Sequence, residues 1–169
     1  MEIEFDGQTA VQVYDGTSGW KLRPYLGRKG AEPFTPAELK QVADEPGIDG
    51  FLIDYAAKGS KIELAGVGKV ENRDCYDLKV TTKNGQTHHV WVDGETFLDA
   101  KIQGDPRVLD GRPRAVSIFP RDFKTDGGLK IPHVLETVVE GAAKPERITI
   151  DSVAVNVKID DSRFAKPKI

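Results

Sequence analysis

At 169 residues the chain is the size of one domain with room for a hydrophobic core. Its 38% hydrophobic and 30% charged residues exclude a disordered chain, and a net charge of −3 argues against a broad nucleic-acid surface, which needs a basic face. One cysteine, Cys75, excludes an intrachain disulfide and a multi-cysteine zinc site. No apolar run approaches the ~20 residues a membrane-spanning helix needs, and no signal-peptide pattern is seen.

Residues 1–5 and 9–14 read as a hairpin around Asp6-Gly7-Gln8. The chain opens mid-pattern, with no polar lead, which reads as a shortened chain or a late start codon. Residues 14–20 form another turn, and Trp20 and Leu22 begin the next strand. Two glycines and two prolines make 24–34 a loop. Thr35-Pro36-Ala37-Glu38 is a helix start: Thr35 caps, Pro36 needs no donor at the first helical position, and Glu38 completes a capping box. Leu39, Val42 and Ala43 form its apolar stripe, and Pro46-Gly47 stops it. A short helical turn follows over 50–58, with Phe51, Leu52 and Tyr55 on one side and Gly59 as its stop.

From Lys61 onward the chain reads as strand, organised around the meander 75–102. Asn84-Gly85 predicts a two-residue type I′ turn, because that turn needs φ > 0 at both central residues. The implied register sets Val80 against His89, Leu78 against Trp91 and Tyr76 against Asp93. One face then holds Tyr76, Leu78, Val80, His89 and Trp91; the other holds Asp77, Lys79, Thr81, His88, Val90 and Val92. Asp93–Thr96 turns the chain into 97–102, with Leu98, Ala100 and Ile102 on one side. Residues 104–113 are turn-rich. Val116, Ile118 and Pro120 alternate with Ser117, Phe119 and Arg121, and Asp126-Gly127-Gly128 leads into 130–140. Gly141–Pro145 leads into 147–157, where a change of parity near Ser152 suggests a bulge. A short turn anchored by Phe164 ends the chain. About ten hairpin-connected strands, one capped helix and no βαβ alternation predict a mainly β protein: a large curved antiparallel sheet with one or two short helices covering one face.

Catalytic and metal chemistry finds little support. His88 and His89 point to opposite faces of a strand, so a metal site would need His133 to join one of them and a carboxylate. Asp93, Asp126, Asp160 and Asp161 adjoin turns or the chain end, where Asp bonds its own backbone. No G-x-S-x-G nucleophile elbow occurs, and Cys75 reads as a small buried hydrophobe. Gly127-Gly128 lacks the P-loop lysine and helix. No cofactor, metal ligand or catalytic residue is expected. A hydrolase would need a polar cleft that the sequence does not foreshadow. The aromatics Trp20, Phe51, Tyr76, Trp91 and Phe97 either fill a core or line a cavity in the curved sheet.

Several residue groups, in order, carry a resemblance over nearly the whole chain. They are Tyr14-Asp15-Gly16 with Gly19-Trp20; Leu52-Ile53-Asp54-Tyr55 leading to Gly59; Tyr76–Val80 with Asn84-Gly85; Asp93–Leu98; Gly128–His133; and Asn156 with Ile159–Phe164. Together they resemble the bacterial outer-membrane lipoprotein-sorting protein group, relatives of the periplasmic carrier LolA and its receptor LolB. The resemblance implies one LolA-like β domain over 1–169, an unclosed barrel with a helical lid over an apolar cavity. It also implies that the family's leading helix and first strands are missing, with a sheet edge free to form a homodimer. It implies an exported, periplasmic or outer-membrane-associated protein that is not an enzyme and shields lipid or lipoprotein acyl chains, with an envelope protein as partner. The cavity would be lined by Trp20, Tyr76, Leu78, Trp91 and Leu98 under Leu39, Val42 and Phe51. The other reading is a structural or interaction module with a filled core and no ligand.

Overall fold

The computed structural model describes residues 1–28, 30–44, 47 and 49–167. The chain divides into two compact units, Met1–Gly47 with Val157–Ile169, and Ile48–Asn156.

The first unit holds a four-stranded antiparallel sheet in sequential order: β1 (Glu2–Phe5), β2 (Gln8–Tyr14), β3 (Gly19–Leu22) and β4 (Glu32–Pro33). Asp6 and Gly7, both at positive φ, make the first hairpin a two-residue type I′ turn. Asp15 organises the next turn by accepting from the backbone N–H of Thr17 and Ser18 and from the Ser18 hydroxyl. Gly19 is required there: a Cβ would fall 2.1 Å from the buried Phe34 ring. The helix α1 (Pro36–Asp44) starts as expected. Glu38 N–H donates to Thr35 Oγ1, and Glu38 Oε2 accepts from Thr35 N–H at 2.8 Å. Lys21 Nζ also reaches Glu38, at 2.6 Å. These contacts, led by Lys21, hold the Glu38 carboxyl down at about 2. Pro46, invoked as the helix stop, lies outside the described residues. The closing turn, Asp161–Phe164, is capped by Asp160 accepting from Ser162 N–H.

The second unit is a seven-stranded sheet in the linear order β11-β10-β9-β8-β7-β6-β5. Its strands are β5 (Lys61–Val70), β6 (Arg73–Thr81), β7 (Thr87–Asp93), β8 (Asp99–Leu109), β9 (Arg112–Asp126), β10 (Leu129–Val139) and β11 (Glu146–Thr149). All neighbours run antiparallel, as expected for a mainly β chain, and neither sheet closes into a barrel.

Four expectations change. The loop at Asn84-Gly85 has three residues, not two: Thr82 N–H donates to Gln86 O and Gly85 N–H to Thr82 O. Only Gly85 takes positive φ, so a type I turn precedes a left-handed glycine. That shifts the register by one residue: Val80 pairs with His88, Leu78 with Val90, Tyr76 with Val92 and Asp77 with Trp91. The two-residue I′ geometry occurs instead at Glu71-Asn72, Asp110-Gly111 and Gly127-Gly128. Residues 104–113 are mostly strand, and Pro106 sits where the β8–β9 register shifts, so its missing N–H breaks no ladder bond. Residues 153–157 are not strand; β11 ends at Thr149, and Val155 packs on Gly127 instead, where a Cβ would meet it at 2.9 Å. Finally, a register shift opposite Trp91–Val92 separates Ala100 from Ile102, which join different clusters.

Residues 51–59 are turn rather than helix, since Asp54 takes positive φ; a single helical bond, Lys58 N–H to Asp54 O, leads into a Schellman pair. Gly59 at positive φ donates to Ala56 O, and Ser60 N–H donates to Tyr55 O.

The corrected register sorts the second sheet into two chemically different faces. On the apolar face Val80, Val90 and Val92 are 0%, 1% and 7% exposed, with Phe51, Leu52, Ile62, Leu78 and Ile102 packed against them. Burying each valine contributes roughly 1.5–2 kcal/mol. On the charged face a smaller cluster of Val70, Cys75 and Ala100 lies under Trp91 and Phe119.

Candidate apolar binding face

The apolar face is covered at one end by its own chain. Phe51 stacks on His88 with ring centroids 4.5 Å apart, and Leu52 packs beside it. Lys58 Nζ ties the start of this covering segment by reaching Gly50 O at 2.9 Å and Asp49 at 2.8 Å. Further along the same face the cover stops. Leu64 is 63% exposed, Val67 76% and Tyr76 41%. The register places all three on the face of Leu78: Leu64 pairs with Leu78, and Val67 with Tyr76. Two large apolar residues left bare beside an aromatic ring form a patch, not a scatter of single exposures.

This bare end runs into a cavity of about 720 Å³, lined by Val67, Lys69, Arg73, Asp74, Tyr76, Gly94 and Glu95 among others. Lys69 and Asp74 pair across strands β5 and β6 at 2.8 Å. Gly94 keeps the floor low: a Cβ there would meet Asp74 O at 3.1 Å. Its N–H donates to that same oxygen.

The charged face is built differently. Arg121 forms a two-pronged bond with Glu71, at 2.6 and 2.9 Å, and reaches Glu136 at 3.2 Å. The Arg121 hydrogen bonds hold the Glu71 carboxyl below its usual range. Asp93 is held low by the backbone N–H groups of Thr96 and Glu95, with Arg73 adding its charge at 3.3 Å. On the apolar face, Asp99 opposite Val92 runs the other way, because burial pushes its carboxyl up. His89 meets Asp77 at 2.7 Å and stacks on Trp91, over which Lys101 Nζ sits at 4.0 Å.

The expected cavity residues are therefore divided. Phe51 and Leu78 meet in one cluster, and Tyr76 continues the same face. Trp91 lies on the opposite face. Leu98 precedes β8, where its carbonyl accepts from Asp93 N–H. Trp20, Leu39 and Val42 belong to the first unit. There Lys166 Nζ approaches the Trp20 ring at 5.1 Å, and Val42 lines a cavity with Tyr14, Phe34 and Phe164. The apolar residues that sequence reasoning misplaced are Val90 and Val92. A signal for them existed: the type I′ register set both valines beside Asp77 and Lys79, whereas a one-residue shift sets them beside Leu78 and Val80.

His88 and His89 do point to opposite faces, and His133 pairs with Asp126 at 2.8 Å. Among the described residues no group of three or more His, Cys, Asp or Glu side chains comes together as a metal site. No helix among them is long and apolar enough to cross a membrane.

No family model matches the chain. Solved structures do. A DUF1329 family protein from Desulfovibrio piger ATCC 29098 matches with a TM-score of 0.60 at 16% identity, over 93% of this chain and 68% of its own. A LolA superfamily protein from Nitrosomonas europaea matches at 0.58 and 13% identity, over 97% and 73%. A domain described as an outer membrane lipoprotein-sorting protein, from Vibrio parahaemolyticus, matches at 0.56 and 14% identity, over 96% and 78%. At such identities the likeness is one of fold, and the fold is LolA-like.

Proposed function

We propose that this protein is a non-enzymatic binding protein for lipid or lipoprotein acyl chains, working in the bacterial envelope in outer-membrane sorting. The observation that carries the reading is the apolar face of the second sheet, buried at one end and bare at Leu64, Val67 and Tyr76 at the other. Apolar contact is worth roughly 0.8 kcal/mol per buried methylene, so a chain of eight or so methylenes laid on that end gains several kcal/mol. The fold likeness to a LolA superfamily protein and to a lipoprotein-sorting domain supports the same reading. Periplasmic or outer-membrane-associated placement and an envelope protein as partner go with it.

The test is titration of delipidated protein with a fluorescent fatty-acyl probe. Saturable uptake, weakened about tenfold by Tyr76→Ala, is expected. Absence of saturable uptake would overturn the reading.

A second reading has its own observation. Val80, Val90 and Val92 are already covered by Phe51 and Leu52, as in a scaffold whose core is filled and which works through its surface. Native mass spectrometry of protein purified from its own envelope separates the two, since only the first predicts co-purified lipid.

A further inference from the structure

The apolar face ends in a cavity whose chemistry differs from that of the face. We infer that this cavity receives the polar head of the bound amphiphile, and that it selects an uncharged or zwitterionic head over a free carboxylate. The inference rests on the acyl-chain reading and adds the ligand class to it.

Continuity comes first. Val67 and Tyr76 belong both to the bare apolar patch and to the cavity lining. A chain lying on Leu64, Val67 and Tyr76 therefore delivers its head between Lys69, Asp74 and Glu95. The charge inventory comes next. The lining carries two cations, Lys69 and Arg73, against three carboxylates, Asp74, Asp93 and Glu95. Both cations are already engaged: Lys69 with Asp74 at 2.8 Å, and Arg73 with Asp93 at 3.3 Å and Glu71 at 3.6 Å. An incoming carboxylate has no uncommitted positive partner and meets negative neighbours, so like-charge repulsion disfavours it. An ester, hydroxyl or amide head meets no such penalty. Lysine offers three donors and arginine five, so both can serve a neutral oxygen while keeping their ion pairs. A zwitterion brings its own cation, which can sit beside Glu95 and offset the charge of its anion. Size agrees: about 720 Å³ holds a glycerol ester or a phosphocholine, far more than a carboxyl group alone requires.

The experiment compares three probes of equal chain length on the whole protein at about pH 8, where a free fatty acid is ionised. They are a monoacylglycerol, a lysophosphatidylcholine and the fatty acid. Binding of the first two about tenfold tighter than the third is expected. The double substitution Asp74→Asn with Glu95→Gln removes two negative charges from exposed positions, and it should bring the fatty acid to within about threefold of the neutral probe. Equal affinity for all three, or a ranking that the double variant leaves unchanged, overturns the head-group inference while acyl binding stands. No binding of any probe overturns the acyl-chain reading itself.

Discussion

The two faces of the second sheet solve the same problem by opposite means. The apolar face seals its valines with Phe51, Leu52 and Ile62, using contacts that have no direction and are not weakened by ionic screening. The charged face is held by Arg121 spanning Glu71 and Glu136, by Arg73 on Asp93, and by His89 on Asp77. Apart from the buried Asp93, those side chains remain partly in water, where such pairs are individually weak. Stability therefore resides mainly in one face, while the other adjusts it. The difference also says which face can host an apolar guest. On the first, two bare apolar residues and an aromatic ring run on from a buried apolar row.

The largest expected effect comes from charging the sealed face. Val80→Asp would bury a carboxylate with no partner, at a cost of several kcal/mol. Circular dichroism should show loss of the cooperative unfolding transition. Val90→Ala is the graded version, costing about 2–3 kcal/mol by urea unfolding. If either variant proved neutral, stability would not be concentrated in this face.

On the charged face, Arg121→Met should cost only about 1–2 kcal/mol, and less in high salt. A salt-independent loss as large as that of Val90→Ala would erase the contrast between the faces.

Acid sharpens it. Glu71 and Asp93 have folded-state carboxyls below their ordinary values of 4.5 and 3.8. A depressed carboxyl contributes stability that is fully present above its unfolded value and is lost as pH falls through its folded value. Destabilisation should therefore begin near pH 4.5 and deepen below 3.8. Asp99, raised by burial, has the opposite sign: its contribution is present below 3.8 and lost as pH rises through its folded value, so it partly offsets the others. Arg121→Met should flatten the acid limb of a stability-against-pH curve, and Val90→Ala should lower the curve without changing its shape.

What could be read in advance followed the range of the interactions. The Thr35–Glu38 capping box and the Gly59 stop are each decided within six residues, and both stand in the structure. The Asn84-Gly85 hairpin was visible, but its register was not, because that pair fits a two-residue turn and a three-residue loop equally well. The choice is made across the strands, by Val90 and Val92 seeking Leu78 and Val80. Glu71-Asn72 teaches the same lesson in reverse. Nothing in glutamate favours positive φ, yet the paired strands hold it there. The bare end of the apolar face was hidden for a related reason. Leu64 and Val67 differ in parity, and only the bulge between Leu64 and Gly66 brings both to one side.

That bulge supports the smallest expected effect on stability and the clearest separation of stability from binding. Leu64 is exposed in the folded protein, so Leu64→Lys removes little that was buried. A change within about 0.5 kcal/mol in urea unfolding is expected, well under the cost of Val90→Ala. The same substitution sets an ammonium group on the surface where an acyl chain would lie, and it should weaken probe binding at least about tenfold through desolvation of the charge. Trp91→Phe, on the opposite face, should leave the probe's affinity unchanged. If Trp91→Phe weakened binding and Leu64→Lys did not, the guest would lie on the charged face, among Lys101, His89 and Asp77, and the division of labour between the two faces would have to be reversed.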